Sequence, residues 1–247
     1  MKVIYVTGGS SGIGQAIVKA FASTGFDVAI GYHKDEQAAK DVAAEARKLG
    51  AESLILAGDL SDQKLVEKNF AQIMKKFGRL DVLVNVAGGV PSEGVMPSTT
   101  HKHWVDIFDA NLFSTVLCSQ EAMKIMQKQK SIGKIINIAS VLGEPFGGRH
   151  GAIAYASAKA AVINFTQTLA KQLAPGILVN AVSPGRTYTP YYERMDTAKR
   201  DKLMQANRIE RFIKPEEIAS MVLEIANNDA VTGETISVNG GFFLWER

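Results

Sequence analysis

Short, continuously apolar runs alternate along the chain with longer amphipathic ones. Val3 to Val6, Val28 to Ile30, Ser53 to Ala57, Val82 to Val84, Lys134 to Ala139, Ile177 to Ala181 and Thr235 to Val238 read as strands. Most have no polar alternation, the pattern of parallel strands covered on both faces. Helical spacing runs from about Gly12 to Thr24, Glu36 to Leu49, Gln63 to Phe77, Trp104 to Gln129, Ile153 to Leu173 and Pro215 to Asn227. Ser61 is a candidate N-cap for the third helix, and Gly50, Gly78 and Gly176 stand where helix ends or αβ turns need them. Repeated strand-helix-strand units predict an α/β doubly wound parallel sheet, with ligands at the C-terminal ends of the strands. No linker or repeat interrupts the pattern, so residues 1–247 are expected to form a single domain.

Composition narrows the function classes. In 247 residues, 46% are hydrophobic, enough for a sizeable core, and the formal charge of +3 with scattered Lys and Arg argues against a nucleic-acid surface. The single cysteine, Cys118, sits in an apolar run, so no intrachain disulfide can form. The apolar N-terminus stops at Thr7, and no apolar run approaches the ~18 residues of a membrane span. A cytoplasmic protein is the default expectation.

Two stretches carry chemistry. The first strand runs into Thr7-Gly-Gly-Ser-Ser-Gly-Ile-Gly14, whose glycines let a backbone turn tightly, approach a ligand and open a helix with free N–H groups for phosphate. After a strand and before a helix, this points to a dinucleotide pyrophosphate, and no Lys-Ser/Thr pair follows to suggest ATP or GTP. The second is Tyr155-Ala-Ser-Ala-Lys159 in a helix-forming run, which puts a phenol and an ammonium one turn apart on one face. By itself this could be a surface pair. At roughly 6 Å and an effective dielectric of about 20, however, the ammonium would favour the phenolate by about 3 kcal/mol and lower the phenol's pKa by about 2.

TGGSSGIG, Asp59-Leu60, Asn85-Val-Ala-Gly88, Asn111, Ser140, YASAK and Ser183-Pro-Gly185 follow one another in the order of the short-chain dehydrogenase/reductase family. The chain resembles that family over nearly its whole length, and is similar to its 3-oxoacyl-[acyl-carrier-protein] reductase-like members. The resemblance implies a single Rossmann-like domain with a seven-stranded parallel sheet in the order 3-2-1-4-5-6-7 and helices on both faces. It implies hydride transfer between a nicotinamide and a carbonyl or secondary alcohol, favouring reduction of a ketone or 3-oxoacyl-type substrate. Tyr155 would be the general acid/base. Lys159 would depress its pKa and bind the nicotinamide ribose, Ser140 would donate to the substrate oxygen, and Asn111 would support a proton-relay water. For the cofactor, Gly8, Ser10, Ser11, Gly12, Ile13 and Gly14 would surround the pyrophosphate. Asp59 and Leu60 would meet the adenine, and Asn85, Ala87 and Gly88 would line the adenosine side, with Asn85 and Gly88 also helping to hold the sheet switch point. Pro184 and Gly185 would close over the nicotinamide, with Thr187 or Thr189 on its carboxamide. Relatives usually carry Asn where this chain has Val86.

At the end of the second strand, Tyr32, His33 and Lys34 come before any acid. A 2′-phosphate carries roughly −1.5 to −2 charge, so Lys34 favours NADP(H), while Asp35 keeps NAD(H) open. Ser11 stands where many NADP-dependent relatives place a basic residue. Substrate choice is expected in residues 89–100, 142–150 and 187–212, the last a lid with Tyr188, Tyr191 and Tyr192. Arg149 and His150 could reach a substrate, and Arg186 and Arg194 are candidates for a carboxylate. His101 and His103 lack a third ligand nearby, so no metal is expected, and Lys199-Arg-Asp-Lys202 reads as the polar face of a short helix. Family relatives pair through two long helices and the C-terminal tail, here Phe242-Phe-Leu-Trp245, which implies a homotetramer. The alternative reading is a non-catalytic nucleotide-sensing Rossmann protein, which would have no use for Ser140, Tyr155 and Lys159. A methyltransferase with a similar sheet would likewise have no reason to carry Tyr-x-x-x-Lys.

Overall fold

Each central strand feeds two cores, because successive side chains point to opposite faces. In β1 (Val3–Thr7), Ile4 and Val6 join one buried cluster, while Val3 and Tyr5 join the other. In β5 (Gly133–Ile138), Ile136 and Ile138 face the first cluster and Ile135 the second. This is the physical origin of the continuously apolar runs. Each such side chain taken out of water contributes about 1.5–3 kcal/mol.

The computed structural model describes residues 1–89, 94–193, 195–205 and 207–244. The remaining strands are β2 (Asp27–Tyr32), β3 (Ser53–Ala57), β4 (Val82–Asn85), β6 (Ile177–Pro184) and β7 (Thr235–Val238). Among the described residues they form one seven-stranded sheet, every neighbouring pair parallel, in the order β3-β2-β1-β4-β5-β6-β7. Helices α1 (Gly12–Ala22), α2 (Glu36–Lys48) and α9 (Pro215–Asn227) cover one face, and α3 (Gln63–Phe77), α5 (Ser114–Met126) and α6 (Ile153–Leu173) the other. The chain reverses its winding between β1 and β4, and the register Thr7↔Asn85 and Asn85↔Asn137 brings three strand ends to one edge. That switch point is where a doubly wound sheet opens a ligand crevice.

Most predicted elements lie within a few residues of the observed ones, with three local differences. The run from Trp104 to Gln129 is broken: α4 (His101–Phe108) passes through one π-helical turn, Asp109–Phe113, before α5 begins. The N-cap of α3 is Asp62, whose carboxylate accepts from Lys64 and Leu65 amides, whereas Ser61 hydrogen-bonds Asp59. Gly78 has the left-handed conformation (φ +72°) expected of a helix-ending glycine, but among the described residues Gly176 does not adopt positive φ.

A buried amide ladder ties the central strands to α6. Asn85 Nδ2 donates to Asn137 Oδ1 at 2.9 Å, Asn137 Nδ2 donates to Thr166 Oγ1 at 2.9 Å, and Thr166 Oγ1 donates to the Val162 carbonyl. All three side chains are buried, so each lost partner strands a polar group away from water. Asn137→Ala is expected to cost about 2–3 kcal/mol, read as a lower urea midpoint at unchanged m-value.

Candidate active site

The glycine-rich turn after β1 fits a phosphate cradle. Gly8 and Gly12 have φ of +62° and +51°, and a Cβ on Gly14 would lie 2.2 Å from the Gly8 carbonyl oxygen. Helices α2, α3 and α4 are capped by the side chains of Asp35, Asp62 and Thr100, but Ser11 at the start of α1 makes no side-chain cap. The first amides of α1 therefore remain as donors for an anion. Ser10 is half-buried and Ser11 exposed beside this turn, while Ile13 packs against the adjacent core.

Thr7 couples this turn to the loop after β4, a role without a sequence signal beyond its place before the first glycine. Its hydroxyl oxygen accepts from the Val86 and Ala87 amides at 2.9 and 3.0 Å. Val86, in the position usually held by Asn, packs against the core. Asn85, expected both to line the adenosine side and to help hold the sheet switch point, has its side chain placed for the second role. Its side chain is buried beneath the groove, donating to Ser119 and Asn137, because β4 is central and that face is covered by α5. Asn111 lies buried in the π turn. Its Nδ2 donates to the Gly89 and Ile107 carbonyls, both at 2.9 Å, and its Oδ1 accepts from the Gly89 amide at 3.0 Å. A Cβ on Gly88 would sit 2.5 Å from that oxygen, so Asn111 and Gly88 hold the wall together.

At the far end of the groove, Asp59 accepts from the Ser61 amide and hydroxyl, which hold its carboxyl below its ordinary pKa, with a smaller contribution from nearby His33. Leu60 has its side chain in the core, leaving only its backbone for a ligand. His33 and Lys34 are exposed, and Asp35 caps α2 by accepting from Ala38. At the near end, Gly185 is pressed against Asn239, where an added Cβ would meet the carbonyl oxygen at 2.6 Å. Thr187 is buried with its hydroxyl on the Gly185 carbonyl at 3.2 Å, whereas the Thr189 methyl faces Gly12.

Between these ends lie Ser140, two residues beyond β5, and Tyr155 and Lys159 on α6. Ser140 hydrogen-bonds Tyr155 and accepts from the Leu142 amide. Gly143 lets the 3₁₀ turn Val141–Gly143 press onto α6, since a Cβ there would lie 2.5 Å from the Lys159 carbonyl carbon. Lys159 is buried, with Nζ 2.8 Å from the Ile138 carbonyl oxygen and 5.8 Å from the centre of the Tyr155 ring.

The electrostatics correct the sequence expectation for Tyr155. Its pKa is raised rather than lowered: burial dominates, and Tyr192 adds to it, against the opposing effects of the Ser140 hydrogen bond and Arg149. Burial also pushes Lys159 down from 10.5 to about 8. The simple Coulomb estimate treated the pair as wet, whereas desolvation acts on both partners and disfavours both charged forms. Keeping the ammonium charged there costs roughly 3 kcal/mol relative to water.

A cleft of about 200 Å³ opens beside Tyr155's neighbours. It is lined by Arg149, His150, Tyr191, Tyr192, Met195, Lys199 and Leu203. Lys199, on the exposed polar face of α8 (Thr197–Gln205) as expected, also stands at the rim of this cleft. Tyr188 and Tyr192 stack on Phe212 with ring centres 5.8 and 4.6 Å apart, so the aromatics in α7 (Pro190–Glu193) and around it also pack this segment onto the body. Arg194, Trp245 and residues 90–93 of the first variable segment lie outside the described residues. His101 and His103 open α4, and no group of three His, Cys, Asp or Glu among the described residues could hold a metal ion. No helix among them is long and apolar enough to cross a membrane.

Comparison with known proteins agrees with this arrangement. A family model described as enoyl-(acyl carrier protein) reductase matches residues 8–243. The chain is 37% identical to a 3-oxoacyl-[acyl-carrier-protein] reductase of Synechocystis, covering 99% of this chain and 98% of the relative. A Serratia marcescens short-chain dehydrogenase/reductase variant superposes with a TM-score of 0.90 at 35% identity, covering 98% of this chain and 97% of that one. An actinorhodin polyketide ketoreductase variant, solved with NADPH, gives a TM-score of 0.90 at 30% identity over 99% and 98% of the two chains. With its glycine cradle, its Ser140-Tyr155-Lys159 cluster and these relatives, the chain belongs to the short-chain dehydrogenase/reductase family of oxidoreductases.

Proposed function

We propose that the protein is an NAD(P)(H)-dependent carbonyl reductase acting on a ketone or 3-oxoacyl-type substrate, with Tyr155 as the general acid. The observation that carries this reading is the convergence of Ser140, Tyr155 and Lys159 at the strand edge that also holds the glycine cradle. A bound nicotinamide dinucleotide would supply the hydride. Gly8 to Gly14 would hold its phosphates, His33, Lys34, Asp59 and Leu60 would meet its adenosine end, Ala87 and Gly88 would form the wall, and Pro184 and Gly185 would lie at the nicotinamide end. There Thr189 is the better candidate for the carboxamide than Thr187, whose hydroxyl is already bonded within its own loop.

Ser140 holds the substrate oxygen against the phenol, and Tyr155 gives its proton to the developing alkoxide. Lys159 positions the phenol and offers positive charge as that proton leaves. Asn111 is a positioning residue, acting through the backbone of Gly88 and Gly89. A nucleotide sensor would gain nothing from burying Lys159 beside Tyr155. The segment 187–212 acts as a lid over a single domain spanning 1–247, and the lone, buried Cys118 suits a cytoplasmic setting.

The raised pKa of Tyr155 keeps the acid protonated through neutral and mildly alkaline pH, so the first group to change is Lys159 at about 8. Below that value the ammonium supports proton donation, and above it the charge is lost. The rate of ketone reduction is therefore expected to be level from about pH 6 to 7.5 and to fall above about 8, with Tyr155→Phe lowering kcat by about 10²–10⁴. A profile rising steadily to pH 10 would sink this assignment.

We infer a preference for NADP(H), because Lys34 is exposed at the end of β2 while the nearby Asp35 carboxylate is engaged in capping α2. Lys34→Asp is expected to cut kcat/KM for NADPH relative to NADH by about tenfold, measured by cofactor oxidation at 340 nm; an unchanged ratio speaks for NAD(H). Helices α5 and α6 on one face of the sheet, the latter 21 residues long, and the adjacent Phe242 and Phe243 support assembly as a homotetramer. Light scattering at micromolar concentration is expected to give four times the 26.7 kDa chain mass, and a monomer refutes the assembly.

A further inference from the structure

Tyr192 stands apart among the walls of the cleft. Met195 and Leu203 are half-buried but apolar, while Arg149, His150, Tyr191 and Lys199 are exposed at the rim. Tyr192 is half-buried and polar, and among the described residues its hydroxyl donates no hydrogen bond. Its ring is held from two sides, 4.6 Å from the centre of the Phe212 ring and edge-on to Tyr191 at 5.2 Å. Phe212 is buried, and the Tyr188 amide donates to the Ile213 carbonyl at 2.8 Å, so the phenol is mounted on the body of the protein. Arg186, a candidate for a carboxylate, donates instead to Asn207 Oδ1 at 3.4 Å, stands 5.5 Å from the centre of the Phe242 ring, and is not among the described walls. The cleft lies between the cofactor groove and the catalytic helix. On one side the Tyr192 amide donates to the Thr189 carbonyl at 2.8 Å, and a Cβ on Gly12 of the glycine turn would meet the Thr189 methyl at 3.3 Å. On the other, the Ala152 amide donates to the Arg149 carbonyl and the Ala156 amide to the Ala152 carbonyl, so the chain passes from the rim directly into the first turn of α6, which carries Tyr155.

We propose that the Tyr192 hydroxyl donates to a second oxygen of the substrate, so that the ketone reduced carries another carbonyl or hydroxyl group one or two carbons from the reacting carbonyl. This rests on the reductase reading above and deepens it. An oxygen that enters the cleft loses water and needs a donor there, and a carbonyl and a hydroxyl oxygen both accept from a phenol. Met195 and Leu203 cannot supply that donor, and the exposed rim groups remain hydrated. The volume of about 200 Å³ keeps the two oxygens close. A cavity of ~150 Å³ takes benzene, so on that scale the cleft receives about eight heavy atoms, enough for a five-carbon dione.

The test compares pentane-2,4-dione with pentan-2-one, and butane-2,3-dione with butan-2-one, as substrates with NADPH in the wild type and in Tyr192→Phe. Phenylalanine keeps the ring against Phe212 and removes only the hydroxyl. The readout is the dione-to-monoketone ratio of kcat/KM, because any influence of Tyr192 on Tyr155 acts on both ketones alike. That ratio is expected to fall by about 3–10-fold in the variant for at least one pair, the worth of a single neutral hydrogen bond, and the pair that responds gives the spacing of the two oxygens. NADPH affinity, read by fluorescence, tells a folded variant from a damaged one, and Tyr192→Leu takes the place of a damaged phenylalanine variant. A ratio unchanged in both pairs, whether or not the rates fall, overturns the inference while leaving the reductase reading intact. A wild type that reduces the monoketones but neither dione also overturns it. If no ketone is reduced, the reductase reading is what fails. In that case, and where only the diones react, calorimetric titration of the two diones decides alone: weaker binding in Tyr192→Phe supports the second-oxygen site, and equal binding or none removes it.

Discussion

The hydrogen bond from Lys159 Nζ to the Ile138 carbonyl is the contact on which the arrangement of the site depends. It joins the first turns of α6 to the end of β5, and so sets Tyr155 against Ser140. The bond is made by a buried ammonium, whose pKa falls to about 8 through desolvation. Stability would be better served by an apolar residue there. That the position is nonetheless a lysine is the mark of a site where charge near a phenol matters more than the packing gain.

The supporting structure is built around backbone rather than side chains. Thr7 pins the β4 loop to the glycine turn, and Asn111 pins the same loop from the other side through Gly89. The π turn is what allows this. The extra residue in that turn brings Asn111 inward, where its amide can bridge Ile107 and Gly89. Below the groove, Asn85, Asn137 and Thr166 extend the same logic, linking two strands and α6 through buried amide and hydroxyl groups. The Asn85–Asn137 and Asn137–Thr166 bonds are fully buried, where mismatch is costly and the geometry is accordingly well determined.

Above the groove the balance changes from hydrogen bonding to charge. Tyr155 lies between a basic cleft and a hydrophobic wall, and the opposing influences of burial, Ser140, Tyr192 and Arg149 set its proton affinity. Tyr192 packs on Phe212 and also forms a wall of the cleft, so the ring that holds this segment to the body also raises the proton affinity of Tyr155.

Much of this was legible in the chain. Continuous apolar runs specified parallel strands, the glycines after β1 specified a tight turn with positive φ at Gly8 and Gly12, and the four-residue spacing of Tyr155 and Lys159 specified a shared helix, because these depend on local periodicity and backbone freedom. The sequence could not show that Ser61 would yield its capping place to Asp62, nor that the helix holding Asn111 would widen into a π turn. Those outcomes depend on competition among neighbours. Nor could it give the sign of the Tyr155 shift. Spacing sets how close the ammonium lies, but only packing decides how much water is excluded from both groups, and here exclusion outweighs proximity. The meeting of Arg149 and Lys199 at one cleft is likewise a product of tertiary structure, since segments far apart in sequence come together there only after the sheet has formed.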